Sequence, residues 1–407
     1  MASSRRFNDT FSALPTTVFE EMSLLAAKHN STNLGQGFPD NELEGPEGMK
    51  KAATAAMYEH SNQYPPMMGV PELRQAVAAH SARQTGIAVD WQSEALVTVG
   101  ATEALAAAFL ALLNAGDEVI FFAPLYDSYL PMATRAGAVP RIVQLHPPSW
   151  SLDTAELEAA FTPRTRLLVL NTPHNPTGKV FTRQELEAMA ELCVRHDCLC
   201  ILDEVYEHLT FPGTQHVTLR SLPGMHDRCL RIGSAGKTFS FTAWKVGWLT
   251  GPRDMVAAVA KAHQFLTFTV PSSLQRAVAH GLDKEGEFYL GLGALLQKKR
   301  QLLVGQLQDI GFKILPANGT YFLVADFSAL LPEGSTEDDV QFCYRLTKEA
   351  GVTLIPVSAF YADRATAPRN LVRFVFCKTD EKLQTACDKL RHYFAAAPAA
   401  ALADGPQ

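Results

Sequence analysis

The 407-residue sequence is short of charge and has no long hydrophobic run. Its longest unbroken apolar stretch, Ala104 to Leu113, is about half of what a membrane-spanning helix needs. Charged residues make up 19%, below the usual quarter, while apolar residues reach 47%. That balance predicts a large buried core and excludes disorder, collagen and coiled coil as a general description. The 36 Lys and Arg against 42 Asp and Glu leave a net charge of −6, with no basic run. Nucleic acid and anionic membrane surfaces are therefore not expected partners. The opening segment MASSRRFNDTFS has two arginines but no apolar stretch, so it does not read as a secretory signal. None of the seven cysteines falls into CxxC spacing, and Cys198 and Cys200 lie two apart on one face of an expected strand. Reduced thiols in a cytoplasmic core are the expectation. The twelve histidines include no HExxH and no paired Cys/His cluster, so no metal site is expected.

What is present is an alternation. The length suggests two or three domains. From about 95 to 250, short apolar runs alternate with helical patterns: ALVTV (95–99), EVIFFA (118–123), PRIVQL (140–145), RLLVLN (166–171), CLCILD (198–203), CLRIG (229–233) and VGWLTG (246–251). Helical stretches at 102–113 and 182–195 separate some of them. Strands apolar on both faces with helices between them predict an α/β fold: a mostly parallel seven-stranded sheet flanked by helices. Sites in such sheets lie in loops at the carboxyl ends of strands. After about 285 the texture changes to an α+β pattern, with strands near 312–315, 320–327, 352–356 and 371–376 and helices near 337–350 and 380–395. We expect a large domain over 45–285, and a smaller one formed by 286–407 with the N-terminal segment 1–44. The tail 395–407 is low-complexity and expected to fray.

Several strand ends carry chemistry-bearing residues. Lys237 follows Ser234-Ala235-Gly236 directly after CLRIG. It reads either as a solvated surface charge or as an amine in a dry pocket, able to lose its proton and form a Schiff base. Asp203 ends CLCILD, and reads either as a helix N-cap or as a carboxylate for a protonated ring nitrogen. A lysine and an aspartate of this kind are what pyridoxal phosphate requires. Tyr206 and Asn175 could each bond that cofactor's phenolic oxygen, although NTPHNPTG (171–178) would form a turn in any case. Gly100, Ala101 and Thr102 open a helix whose free N–H groups could receive a phosphate; a generic strand–turn–helix junction is the competing reading.

Order, spacing and context together resemble the fold-type I pyridoxal-phosphate transferases, specifically the class I aminotransferases. The resemblance runs from Asn33 to Arg373. The segments GQGFPD (35–40), NQYPPMMGVPELR (62–74), NTPHNPTGKVF (171–181), DEVYEHLTF (203–211) and SAGKTFSFTAWKVGW (234–248) point to the branch holding methionine aminotransferases and kynurenine aminotransferase, also called glutamine transaminase K. The resemblance implies Lys237 as Schiff-base lysine and proton shuttle, Asp203 on the pyridine nitrogen, and Asn175 and Tyr206 on the phenolic oxygen. It implies Tyr126 stacked on the ring, and Gly100, Ala101, Thr102, Ser234 and Lys245 on the phosphate, with Tyr64 supplied by a second subunit. Arg373 would clamp the substrate carboxylate opposite the Gly37 backbone. Phe38, Phe268 and Tyr321, with Tyr126 and Phe360, would line the side-chain pocket. Ala243 and Lys245 depart from the glycine and arginine common in relatives.

The implied reaction is ping-pong transfer of an amino group from an L-amino acid (methionine, aromatic or glutamine-like) to a 2-oxo acid. The active unit would be a cytoplasmic homodimer. A cysteine-S-conjugate β-lyase or a kynurenine–oxoglutarate transaminase on the same scaffold remains an alternative, and a pyridoxal-binding regulator is a remote one. No second arginine is placed to receive a side-chain carboxylate, which disfavours aspartate as donor.

Overall fold

The computed structural model describes residues 7–396, so most of the low-complexity tail lies outside the described residues. Its centre is an eight-stranded sheet. In spatial order the strands are Ala95–Thr98, Gly247–Thr250, Cys229–Ser234, Leu199–Asp203, Thr165–Asn171, Glu118–Ala123, Val139–His146 and Ser151–Leu152. The inner strands pair in parallel. Gly247–Thr250 runs antiparallel to both of its neighbours, and Ser151–Leu152 is antiparallel to Val139–His146. Seven strands match the apolar runs. The eighth, two residues long, escapes sequence reading because a strand that short has no period to detect.

Helices cover both faces, which is why strands such as Glu118–Ala123 and Cys229–Ser234 are buried along their whole length. The helix Arg183–Arg195 starts at a capping box: Thr182 Oγ1 accepts from the Glu185 N–H, and the Glu185 carboxylate accepts from the Thr182 N–H. No helix among the described residues is long and apolar enough to cross a membrane.

A second, antiparallel sheet orders Lys313–Ile314, Phe322–Asp326, Leu371–Val375 and Ile355–Pro356. The N-terminal strand Thr32–Asn33 pairs in parallel with Val352–Thr353, tying the start of the chain to this region. The expected helix near 337–350 is Asp339–Arg345 continued by a π-helical turn, Leu346–Ala350.

Register decides what the strand ends present. Asn171 and Asp203 are direct partners. Ser234 and Thr98 are both partners of Gly247, so the turn after Thr98 is brought beside Ser234. Gly247 is required there: a Cβ would lie 2.7 Å from the Gly100 carbonyl carbon and 3.0 Å from the Ala101 nitrogen.

Candidate active site

At the carboxyl edge of the large sheet lies a cavity of about 450 Å³. Of the site residues expected from sequence, Gly37, Gly100, Ala101, Thr102, Tyr126, Asn175, Asp203, Tyr206, Ser234, Lys237, Lys245 and Arg373 line it. The chain crosses from one sheet to the other to bring them together.

Lys237 lies on the single helical turn Ala235–Thr238 after its strand. Its Nζ donates to the Tyr321 hydroxyl at 2.9 Å, and that hydroxyl donates to the Gly37 carbonyl at 2.8 Å. Burial lowers the Lys237 ammonium to about 8, so a sizeable neutral fraction exists near neutral pH. Asp203 is almost fully buried at the end of the adjacent strand. Its Oδ2 accepts from the Tyr129 hydroxyl at 2.5 Å, while Oδ1 is buried without a partner. Burial raises this carboxyl to about 6, partly offset by the Tyr129 bond. An orphaned carboxylate oxygen at a cavity wall is a receptor for a cationic N–H.

Opposite, Gly100 adopts φ +71° and starts the helix Gly100–Leu112. Lys245, also in the left-handed region at φ +53°, brings its Nζ to 3.4 Å from where a Gly100 Cβ would stand. The helix start, Thr102, Ser234 and Lys245 line one end of the cavity, a cradle for an anionic group. Tyr126 is half-buried on the wall. A planar molecule bearing a phosphate and a ring N–H fits between the cradle and Asp203.

Arg373 is held from two sides. Nη1 donates to Asn175 Oδ1 at 2.9 Å and Nη2 to the Gly35 carbonyl at 2.7 Å, while Nε is buried without a partner. Its guanidinium lies over the Phe322 ring at 4.3 Å and the Phe360 ring at 5.0 Å. Burial lowers its pKa to about 10, which leaves it charged at neutral pH. A buried cation whose visible partners are all neutral calls for an anion.

Five expected residues stand elsewhere. Tyr321 lies behind Lys237 as its hydrogen-bond partner, outside the residues lining this cavity. Phe38 is 44% exposed under the Lys378 ammonium. Tyr64 and Phe268 pack edge to face at 5.3 Å, and Tyr64 is 81% exposed. Phe360 is buried beside Arg373. Sequence reading also missed Tyr129, Asp127, Thr17 and Phe19, which all line the cavity. Tyr129 was within reach: it stands three residues after Tyr126, at the start of the helix Tyr129–Arg135 that follows the same strand end. Nothing local marks Thr17 or Phe19, which reach the cavity from the N-terminal segment.

Residues 29–390 match the model of the class I and II aminotransferases. The chain is 42% identical over 378 residues to a methionine aminotransferase of Escherichia coli, covering 93% of this chain and 96% of that one. A solved structure from that organism, reported to identify a methionine aminotransferase function, superposes with a TM-score of 0.90 at 41% identity, covering 95% of this chain and all of the other. A probable N-succinyldiaminopimelate aminotransferase of Mycobacterium tuberculosis is 44% identical over 92% of this chain and 95% of its own length. Kynurenine–oxoglutarate transaminase 1 of Rattus norvegicus is 40% identical over 92% and 94%. The chain belongs to the class I and II aminotransferases, and its fold is that of the fold-type I transferases.

Proposed function

We propose that this aminotransferase uses pyridoxal 5′-phosphate to move the amino group of an L-amino acid with an uncharged side chain to a 2-oxo acid. Methionine, aromatic and glutamine-like donors are the class. The observation that carries the reading is the pairing of a half-buried, pKa-lowered lysine, Lys237, with the unpartnered buried oxygen of Asp203 in one cavity.

When bound, the cofactor supplies an aldehyde for the substrate amine and a ring that accepts electrons from the substrate α-carbon. Asp203 Oδ1 would hold the proton on the ring nitrogen. The Gly100–Thr102 backbone, Ser234 and Lys245 would hold the phosphate, and Tyr126 would cover a ring face. Asn175 and Tyr206 would bond the phenolic oxygen. Lys237 Nζ, neutral in part and steered by Tyr321, would take a proton from the α-carbon and return one. Arg373 would bind the carboxylate of amino acid and oxo acid alike, so a single clamp serves both half-reactions in turn. Burial of the arginine excludes water from that contact, which strengthens it.

The cavity lining supports the uncharged side-chain class: its cations are Lys237, Lys245 and Arg373, each already engaged above, so none is left to pair a side-chain carboxylate.

Residues 45–285 are assigned to a large domain, and 1–44 with 286–407 to a small one; the Thr32–Asn33 pairing with Val352–Thr353 supports the grouping. The exposed Tyr64–Phe268 pair, with Phe265 87% exposed nearby in sequence, supports a homodimer that buries these rings. Seven free, buried thiols support a reducing cytoplasmic setting.

The test is spectroscopic. Purified enzyme carrying the cofactor is mixed with L-methionine and no oxo acid. Conversion of the cofactor's aldehyde form to its amine form, reversed by a 2-oxo acid, is expected. A spectrum unmoved by methionine, phenylalanine and glutamine alike would refute the donor class.

A further inference from the structure

Away from the cavity, three side chains converge in the interior: His80 on the helix Pro71–Thr85, and Glu207 and His208 just beyond Asp203. His80 Nε2 and His208 Nε2 are 3.2 Å apart. Glu207 Oε1 stands 3.6 Å from the first and 3.8 Å from the second. A point equidistant from three atoms so spaced lies about 2.1 Å from each, the length of a zinc–imidazole or zinc–carboxylate bond. The two ring centroids are 5.0 Å apart, so both rings turn Nε2 toward the same space.

Charge points the same way. Glu204 and Glu207 are both buried, and the Arg231 guanidinium donates to each. One cation against two carboxylates leaves a buried negative charge for a cation or a proton to match. His216, 3.3 Å from Glu204, faces the other carboxylate of the group. Arg231 occupies Glu207 Oε2 and so leaves Oε1 toward the imidazoles, the outer-shell arrangement that orients a ligand. An opening of about 300 Å³, lined by Glu207, His208, Gln84 and Thr210, gives an entry path and room for a water.

We propose that His80 Nε2, His208 Nε2 and Glu207 Oε1 bind one Zn²⁺ per chain, with a water from that opening as fourth ligand. The ion ties the helix Pro71–Thr85 to the segment 203–208, which carries Asp203 and Tyr206 into the cavity. Sequence spacing conceals the site because His80 and His208 are 128 residues apart, whereas motif rules look for ligands within one turn or loop.

The test uses holoenzyme stripped of metal by a chelator, dialysed, and titrated with zinc against a chromophoric indicator. About one equivalent per chain is expected, with affinity weakened about tenfold or more in His208→Gln. Fewer than about a tenth of an equivalent in the wild type, or undiminished binding by His208→Gln, would overturn the site. Cobalt titration of the wild type is an independent readout that needs no variant. A four-coordinate spectrum without thiolate charge transfer is expected, and thiolate bands would move the metal to the buried cysteines instead.

Discussion

The Tyr129 hydroxyl donates to Asp203 Oδ2 at 2.5 Å, and it is the one side-chain hydrogen bond among the described residues that this buried carboxylate receives. The bond favours the ionised form, so it holds the Asp203 pKa below where burial alone would set it. Tyr129→Phe should therefore raise that pKa. The acid limb of kcat/KM should move up by about one pH unit with little change at alkaline pH. A profile that falls uniformly without shifting would assign Tyr129 a packing role only.

Asp203 also makes a prediction about stability. Its folded-state pKa of about 6 lies above the usual carboxyl value. Its protonated form thus favours the fold of the cofactor-free chain at low pH, and that contribution is lost as pH rises through about 6. Without cofactor, Asp203→Asn should gain on the wild type between about pH 4 and pH 7, by on the order of 3 kcal/mol. Denaturant melts at several pH values measure this, and a pH-independent gap would contradict it.

Lys237→Ala should lower turnover about a thousandfold or more. Tyr321→Phe, which removes only the hydroxyl between Nζ and the Gly37 carbonyl, should cost about tenfold in kcat. Single-turnover kinetics with methionine would check both. Equal effects of the two substitutions would mean that Tyr321 does more than steer the amine.

Arg373→Lys keeps a charge but loses the fork between Asn175 and the Gly35 carbonyl and the stacking on Phe322. KM for both amino acid and oxo acid should rise about 10- to 100-fold, with kcat affected less. An effect on only one of the two substrates would refute a shared carboxylate clamp.

The large sheet was legible in the sequence because runs such as EVIFFA and CLCILD must be covered on both faces, and only helices between parallel strands do that. The strand-end chemistry was legible too: Asp203, Lys237 and the Gly100 turn each follow an apolar run directly, where open α/β sheets expose their loops. Those are local facts, determined by residues within a few positions of one another. Tertiary structure decided which loops meet, since all seven runs look alike and nothing in their periodicity says that 229–234 lies between 199–203 and 247–250. It also decided the partners of each site group. Tyr129 reaches Asp203 across 74 positions, Tyr321 reaches Lys237 across 84, and Asn175 reaches Arg373 across 198. Tyr64 and Phe268 it set on the surface of this chain as an edge-to-face pair. A hydrogen bond depends on distance in space, and once the chain has crossed between two sheets, separation along the sequence carries no record of it.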